Sequence, residues 1–468
     1  MKKNNKIRIV VIFLVILIPA YFFANYFTSQ IKYTSKLKGS FTPDQMYFVK
    51  RYFFPYQAIT DHEKTISQNE KRIAQLLKTL NTTPHHAELF FKETLRDIKT
   101  KKTENILLTN NYKLTKFEFT EGFYSGISDY PGSGFIDSHL DNLLVLSSRG
   151  VLSYSKYNED LLIFKQIKNN IDDFIGLDQF NKGNWFSIKD LTIHNNKILI
   201  SYTEEIKKDC WNTSIILGEM NYEHIVFKKL FSPRECVHSL NNIDNSFNAV
   251  QSGGRIVSYN RNHILLSIGD YRSRFLSQIN DSVNGKIIKI NINNAGYEII
   301  SMGHRNPQGL FYDKEINILL ETEHGPQGGD EINLIKFDKL LESKIPNFGW
   351  AIASYGEHYD NYVGQKRKNF YTKYPLYKSH KQHGFVEPIK SFVPSIGISE
   401  IVKIGENKYV VASLIDSSLN FFQLNKENKI EELTRVEVFQ RVRDMVYLED
   451  TLYLFLEDSP SIGILKIN

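Results

Sequence analysis

Hydrophobic and polar positions change their spacing twice along this chain. From Ile9 to Ile31 the run IVVIFLVILIPAYFFANYFTSQI is almost wholly apolar and carries no charge. About 20 such residues in a helix cross a hydrocarbon core of ~30 Å, so residues 9–31 are expected to form a transmembrane anchor. A cleaved signal peptide has a shorter apolar region, ~7–15 residues, and a small-residue cleavage site. Here Ala20 and Ala24 sit among large aromatics, and the anchor is expected to stay. The basic tail at residues 1–8, with Lys2, Lys3, Lys6 and Arg8, remains cytoplasmic, and everything after Lys32 is exported. The expectation is a single-pass membrane protein whose C-terminal part lies in the periplasm or outside the cell.

Residues 32–109 are expected to be a helical stalk. Ile59, Ile66, Ile73 and Leu80 recur every seven residues behind Thr60 and Glu63 in capping-box spacing. A short helix after Pro84 would place Phe91, Leu95 and Ile98 on one face. From about residue 110 the period falls to two. Segments such as NLLVLSS, KILISYT, HILLSIGD, KIIKINI, NILLETE, KYVVASL and LYLFLED are short, β-branched and aromatic, and Asn/Asp/Gly/Lys turns separate them. Residues 110–468 therefore read as all-β and too long for one sandwich, which suits a β-propeller whose loops converge on a central pocket. No internal repeat of fixed length sets the blade count.

Composition changes this picture only in part. The 468 residues are 41% hydrophobic, enough for a sizeable core. Lys+Arg number 58 against Asp+Glu 52, and this excess of +6 is spread along the chain, which argues against a nucleic-acid partner. Cys210 and Cys236 are the only cysteines. In an oxidising compartment they can pair or remain separate buried thiols; no CxxC or histidine cluster points to a metal.

The candidate chemistry lies in GHRNPQGLFYDKEINILLETEHGPQGGDEINLI, residues 303–335. Two polar, glycine-punctuated clusters flank a strand, and a strand–turn–strand excursion through Asp313, Lys314 and Glu315 would return both to one mouth. Arg305 offers a planar, permanently charged donor set suited to a carbonyl or carboxylate. Gly325 and Pro326 present carbonyls in a tight turn, hard oxygen ligands that suit Ca²⁺, while Gly328 and Gly329 allow close approach to the backbone.

GHRNPQG, EHGPQGGDEIN and NFGWAIASYG, with DLTIHNNKILISYTE and SGGRIVSYNRNHILLSIGD upstream and RVRDMVYLEDTLYLFLED downstream, resemble the glucose/sorbosone dehydrogenase family. The likeness is strongest to its aldose sugar dehydrogenase branch and covers about residues 190–460. It implies a six-bladed β-propeller that holds pyrroloquinoline quinone (PQQ) and Ca²⁺ on one face and oxidises an aldose at C1 by hydride transfer to the quinone. Position by position, it implies His194 as general base and Arg305 as the charge that stabilises the reduced quinone. It also implies Asn306, Gln308, Arg441 and Arg443 as cofactor contacts, and the carbonyls of Gly325 and Pro326 as metal ligands. The implied partners are a small-molecule sugar and a membrane electron acceptor.

The chain departs from the family pattern at three places. Asn195 and Asn196 follow His194 where the family has proline and aspartate; Ile415 stands for a cofactor-contacting lysine; Val393 stands for a tryptophan. Asp416, beside Ile415, adds a negative charge, and Lys403, Lys408 and Lys426 are the candidate replacement cations. Two readings follow: a membrane-anchored PQQ- and Ca²⁺-dependent dehydrogenase, or a non-catalytic propeller that binds a carbohydrate or a partner protein.

Overall fold

The computed structural model describes residues 84–467 other than 109–111, 125–131, 158–161, 176–187, 245, 339–343 and 360–363, together with Tyr21 and Ile66. The expected anchor and the Ile59–Leu80 repeat, those two single residues apart, lie outside the described residues. Among the described residues no helix is long and apolar enough to cross a membrane. The chain divides into two units, 1–83 and 84–468, and the described architecture belongs to the second.

Six antiparallel blades, called sheets I to VI, make up most of that unit, each opening on a strand next to the axis; I and VI join through Ile98–Leu107 into one nine-stranded sheet, and Lys168–Asn169 pairs in parallel with His224–Ile225. Sheet I contains Gly134–His139, Asn142–Ser147, Leu152–Lys156 and Ile163–Gln166. Sheet II runs through Ile188–His194, Lys197–Lys207, Cys210–Glu219 and Lys228–Phe231, and sheet III through Gly253–Asn260, His263–Ile268, Lys286–Asn291 and Tyr297–Met302. Sheet IV is Pro307–Asp313, Ile318–Glu323, Asp330–Lys336 and Lys390–Phe392; sheet V is Ile398–Gly405, Lys408–Ser413, Ser418–Leu424 and Ile430–Glu437. Sheet VI is Val442–Leu448, Thr451–Leu456 and Ser461–Lys466, completed by Lys113–Phe119 from near the start of the unit. The first strands neighbour one another in the order I to VI, and VI returns to I. This is the arrangement of a β-propeller, closed by pairing an early strand with the last hairpin, as in Phe117 opposite Ile462.

Alternation along each strand explains the packing. Residues on opposite faces of one sheet feed two different apolar clusters. Phe135, Leu144, Ile198 and Ile200 fill the space between sheets I and II, whereas Ile136, Leu143, Phe455 and Ile462 fill that between VI and I. Buried side chains such as these stabilise by about 1.5–3 kcal/mol each, so the ring is held by many small contributions.

The structure alters one expectation here. Helix α1 (Pro84–Thr94) forms as expected, but Ile98–Leu107 is a strand and not part of a helical connector to residue 109. It pairs with Lys113–Phe119 and with Ile163–Gln166. Phe91 and Ile98 both enter the apolar cluster between sheets VI and I, and Ile98 reaches it from the strand. The sequence IKTKKTENIL carries too few apolar side chains to reveal this pairing; partner strands far along the chain impose it. Cys210 and Cys236 form a disulfide that ties the start of Cys210–Glu219 to the loop after Lys228–Phe231.

Candidate functional site

Sheet IV answers the question its two loops posed. Pro307–Asp313 and Ile318–Glu323 form a hairpin in which Pro307 lies opposite Glu323, so the segments before and after it return to the same end. At that end Arg305 is 5% exposed. Its backbone N donates to Glu323 Oε2 at 2.6 Å, its Nη1 donates to the His324 carbonyl at 2.8 Å, and its guanidinium lies 5.4 Å from the Trp350 ring centre. With the Gln251 amide turned to satisfy its neighbours, the Gln251 oxygen accepts from Arg305 Nη2 at 3.0 Å. Nε of Arg305 is buried without a hydrogen-bond partner. Asp270 stands close by; burial raises its pKa, and Arg305 opposes that rise.

Arg305 shares a small cavity with Glu323, Gly325, Gly329, Glu331, Trp350 and His380. The turn there requires glycine. A Cβ on Gly325 would lie 2.0 Å from the Gly329 carbonyl oxygen, and one on Gly329 would lie 2.2 Å from the Gly356 nitrogen. Asp330 fixes the turn by accepting from Gly325 N at 3.1 Å and from Gly397 N at 2.7 Å. Pro326 is buried against Gly356.

A second opening lies at the same end of the first strands. Phe135, Lys189, Val250, Gly253, Gln308 and Arg443 line it. Asn306 joins the two openings: its Oδ1 accepts from Gly253 N at 3.2 Å and from Gln308 Nε2 at 3.0 Å. Arg443 is engaged twice by the buried Glu457, through Nε at 2.6 Å and Nη2 at 3.1 Å, and its Nη1 donates to Gln308 Oε1 at 3.4 Å. Arg441 reaches the same carboxylate at 3.3 Å. Burial pushes Glu457 up, but Arg443 and Arg441 outweigh it and hold the carboxyl below its ordinary range.

Six sequence-derived residues thus gather at this end of the strands, the mouth: Arg305 and Gly325 line the first cavity, Gln308 and Arg443 the second, Asn306 bonds Gln308 between them, and Pro326 lies in the adjoining turn, with Arg441 beside Glu457. His194 does not join them. It ends the strand Ile188–His194, pairs with Lys197 across the turn at Asn195 and Asn196, and both turn residues have positive φ, 53° and 69°. A two-residue hairpin of this kind favours asparagine, which accounts for the Asn pair there. Lys189 lies at the mouth end of the same strand; five residues at ~3.3 Å each separate the two by ~17 Å. His194 is also fully occupied, with Nδ1 3.0 Å from Ser258 Oγ and Nε2 3.2 Å from the Arg261 carbonyl. Burial lowers its pKa.

None of the candidate replacement cations reaches the mouth either. Lys403 pairs with Asp313 at 2.8 Å and Glu315 at 2.5 Å beside the opposite hairpin ends, Lys408 opens the strand after the hairpin turn at 406–407, and Lys426 lies in the 425–429 turn. Ile415 and Val393 are 70% and 64% exposed, and Asp416 is neutralised by Arg435 at 2.7 Å. The cation that does line the mouth is Lys189, which the sequence did not single out. Burial, then Arg443 and Arg149, depress its pKa to about 7. Its signal was a lone lysine at the start of an otherwise buried first strand. Glu457 was missed for the same reason, as an acid at the end of LYLFLE.

Below the mouth the axis is polar. Arg255 sits 2.8 Å from each of Asp190, Glu400 and Asp444. These groups, with Asp137, border an open channel that extends toward the opposite face. The mouth and that channel are divided by the Arg255 network.

Comparison with known proteins agrees with this architecture. The chain is 27% identical over 238 residues to the aldose sugar dehydrogenase YliI of Escherichia coli K12, a match that spans 46% of this chain and 59% of that relative. The chain thus spans little more than half the length of such a curated relative. Among solved structures, the soluble aldose sugar dehydrogenase of E. coli in its apo form shares the fold with a TM-score of 0.56 at 19% identity, covering 74% of this chain and 99% of that one. The PQQ-bound aldose sugar dehydrogenase of Streptomyces coelicolor does so at 0.51 and 17%, covering 72% and 99%. The model of the glucose/sorbosone dehydrogenase family matches residues 189–466, which span sheets II to V, three of the four strands of sheet VI and the mouth but for its contribution from sheet I, and the chain belongs to that family.

Proposed function

We propose that this protein oxidises an aldose sugar, or a related alcohol, at C1, with PQQ held at the mouth of a six-bladed propeller and Ca²⁺ on the Gly325 and Pro326 carbonyls. The observation that carries this reading is Arg305: a buried guanidinium with an unpartnered Nε, in a cavity it shares with the Gly325–Gly329 turn. Family membership supports it. The donor set fits a planar polyanion. Arg443 supplies a cationic group, Gln308 an amide, and the glycine turn lets a flat ring system approach the backbone.

When bound, PQQ supplies the two-electron acceptor; the protein supplies position and charge. Arg305 keeps a fixed positive charge where negative charge develops, which lowers the barrier without reorganisation. Lys189 takes the proton-accepting role that the sequence had given to His194. Its pKa, lowered to about 7, leaves a substantial share of neutral amine near pH 7, which suits a base that removes the anomeric hydroxyl proton. We further propose that residues 9–31 anchor the chain with its C-terminal part in the periplasm or outside the cell, delivering electrons to a membrane acceptor. The Cys210–Cys236 disulfide supports an oxidising compartment.

A second reading, a propeller that binds a carbohydrate or partner without PQQ, is favoured by Glu457. Its carboxylate already occupies Arg443 and Arg441, the cations that resemblance assigns to the cofactor. One experiment separates the two. The full chain in detergent, supplied with PQQ and CaCl₂, is assayed for dye reduction with a panel of aldoses, while PQQ uptake is followed by calorimetry. Uptake with turnover that Arg305→Ala abolishes supports the first reading; absence of uptake supports the second.

A further inference from the structure

Behind Arg305, sheet IV buries a cluster that the proposed reaction does not use. Glu321 and Glu323 lie two apart on Ile318–Glu323 and so share a face. His304 reaches them from the loop that enters the sheet. Its Nδ1 is 3.8 Å from Glu321 Oε2 and 3.8 Å from Glu323 Oε1, and the three donor atoms all lie within 4.8 Å of one another. The residues are 0%, 0% and 4% exposed for His304, Glu321 and Glu323. Among the described residues, no lysine or arginine side chain pairs with either carboxylate.

Two observations distinguish this cluster from an ordinary buried network. His304 Nδ1 and Glu321 Oε1 have no hydrogen-bond partner although both are buried. The remaining atoms are held as supporting groups hold a ligand set: His304 Nε2 is 2.7 Å from Ser301 Oγ, and Asn333 Nδ2 donates to Glu321 Oε2 at 2.9 Å and to Glu323 Oε1 at 3.2 Å. A point equidistant from three atoms about 3.8–4.8 Å apart lies about 2.2–2.5 Å from each, within a small adjustment of zinc–nitrogen and zinc–oxygen bonds.

We propose that His304 Nδ1, Glu321 and Glu323 bind one divalent transition-metal ion. A neutral imidazole with two carboxylates makes a neutral assembly with such an ion, which removes the penalty of two unpaired buried acids. The imidazole favours zinc over Ca²⁺, while the two carboxylates also admit manganese, so this site differs in chemistry from the all-oxygen Gly325–Pro326 turn. The cavity that Glu323 shares with Arg305 provides entry. Glu323 Oε2 accepts from Arg305 N, so the ion also fixes the loop that carries the arginine.

The test uses the full chain, stripped with a chelator and titrated in turn with ZnCl₂, MnCl₂ and CaCl₂. We expect one equivalent of zinc or manganese per chain, a higher Tm with the ion, and no comparable uptake of calcium at this site. Glu321→Gln should weaken uptake by more than the ~10–100-fold lost when only a supporting group of a ligand is removed, and should abolish the rise in Tm. Equal uptake by the variant and the parent protein would overturn the assignment. If Glu321→Gln fails to fold, CoCl₂ added to the parent protein decides: visible d–d bands that saturate at one equivalent are expected, and their absence refutes the site.

Discussion

Replacing Arg255 with methionine tests how the axis is held together. Arg255 is 6% exposed and lies 2.8 Å from each of three carboxylates, Asp190, Glu400 and Asp444. Burial works to lower the arginine's pKa, and the three acids outweigh it and raise it instead. Removing one partner of a buried pair costs ~3–5 kcal/mol because the charge left behind is uncompensated. Here the surviving acids can take up protons, which limits the loss. Burial already raises the pKa of Asp190, Asp444 and Glu400 with Arg255 present. Without Arg255 those values rise further. An acid whose folded pKa exceeds its unfolded value binds more protons in the folded state, so stability falls as pH rises between the two. The deficit of Arg255→Met should therefore be largest near pH 8, roughly 3–5 kcal/mol, and shrink toward pH 5. Urea unfolding of variant and parent protein at both values measures it. A deficit that is constant with pH, or larger at pH 5, refutes the account.

Glu457→Gln should free Arg443 and Arg441, tightening PQQ uptake severalfold in calorimetry while lowering Tm in its absence; unchanged uptake would mean that these arginines do not face the ligand. Affinity of the mouth for an anionic ligand should fall as pH rises from 6 to 8, because Lys189 loses its charge near its depressed pKa of about 7, and Lys189→Met should flatten that profile. His194→Ala should leave PQQ uptake intact, since it lies at the opposite end of its strand; lost uptake by a folded variant would return His194 to the site. Replacing Cys210 and Cys236 by serine should destabilise the fold by about 3–4 kcal/mol, the loop entropy for their separation of 26 residues, read from urea midpoints.

Much of this protein was legible before any tertiary structure. Period-two alternation in segments such as KIIKINI and KYVVASL identifies strands because each side chain must choose one of two faces, a local decision. The strand–turn–strand excursion of sheet IV was legible for the same reason: turn residues sit between two apolar runs, and a hairpin returns its ends to one place. Motif spacing then located Arg305, Asn306, Gln308 and the Gly325–Pro326 turn at a common mouth. Other features depend on partners distant in sequence. Ile98–Leu107 became a strand because Lys113–Phe119 and Ile163–Gln166 offer it hydrogen bonds, which its own polar sequence does not announce. His194 and Lys189 share one strand, and sequence cannot say which end of a propeller strand faces the mouth; the Asn195–Asn196 hairpin and the entry loops decide it. The Glu457 pairing with Arg443, the Arg255 network and the His304–Glu321–Glu323 cluster likewise exist only once the sheets are packed, because charge interactions depend on distance and burial, and neither is a property of residue order.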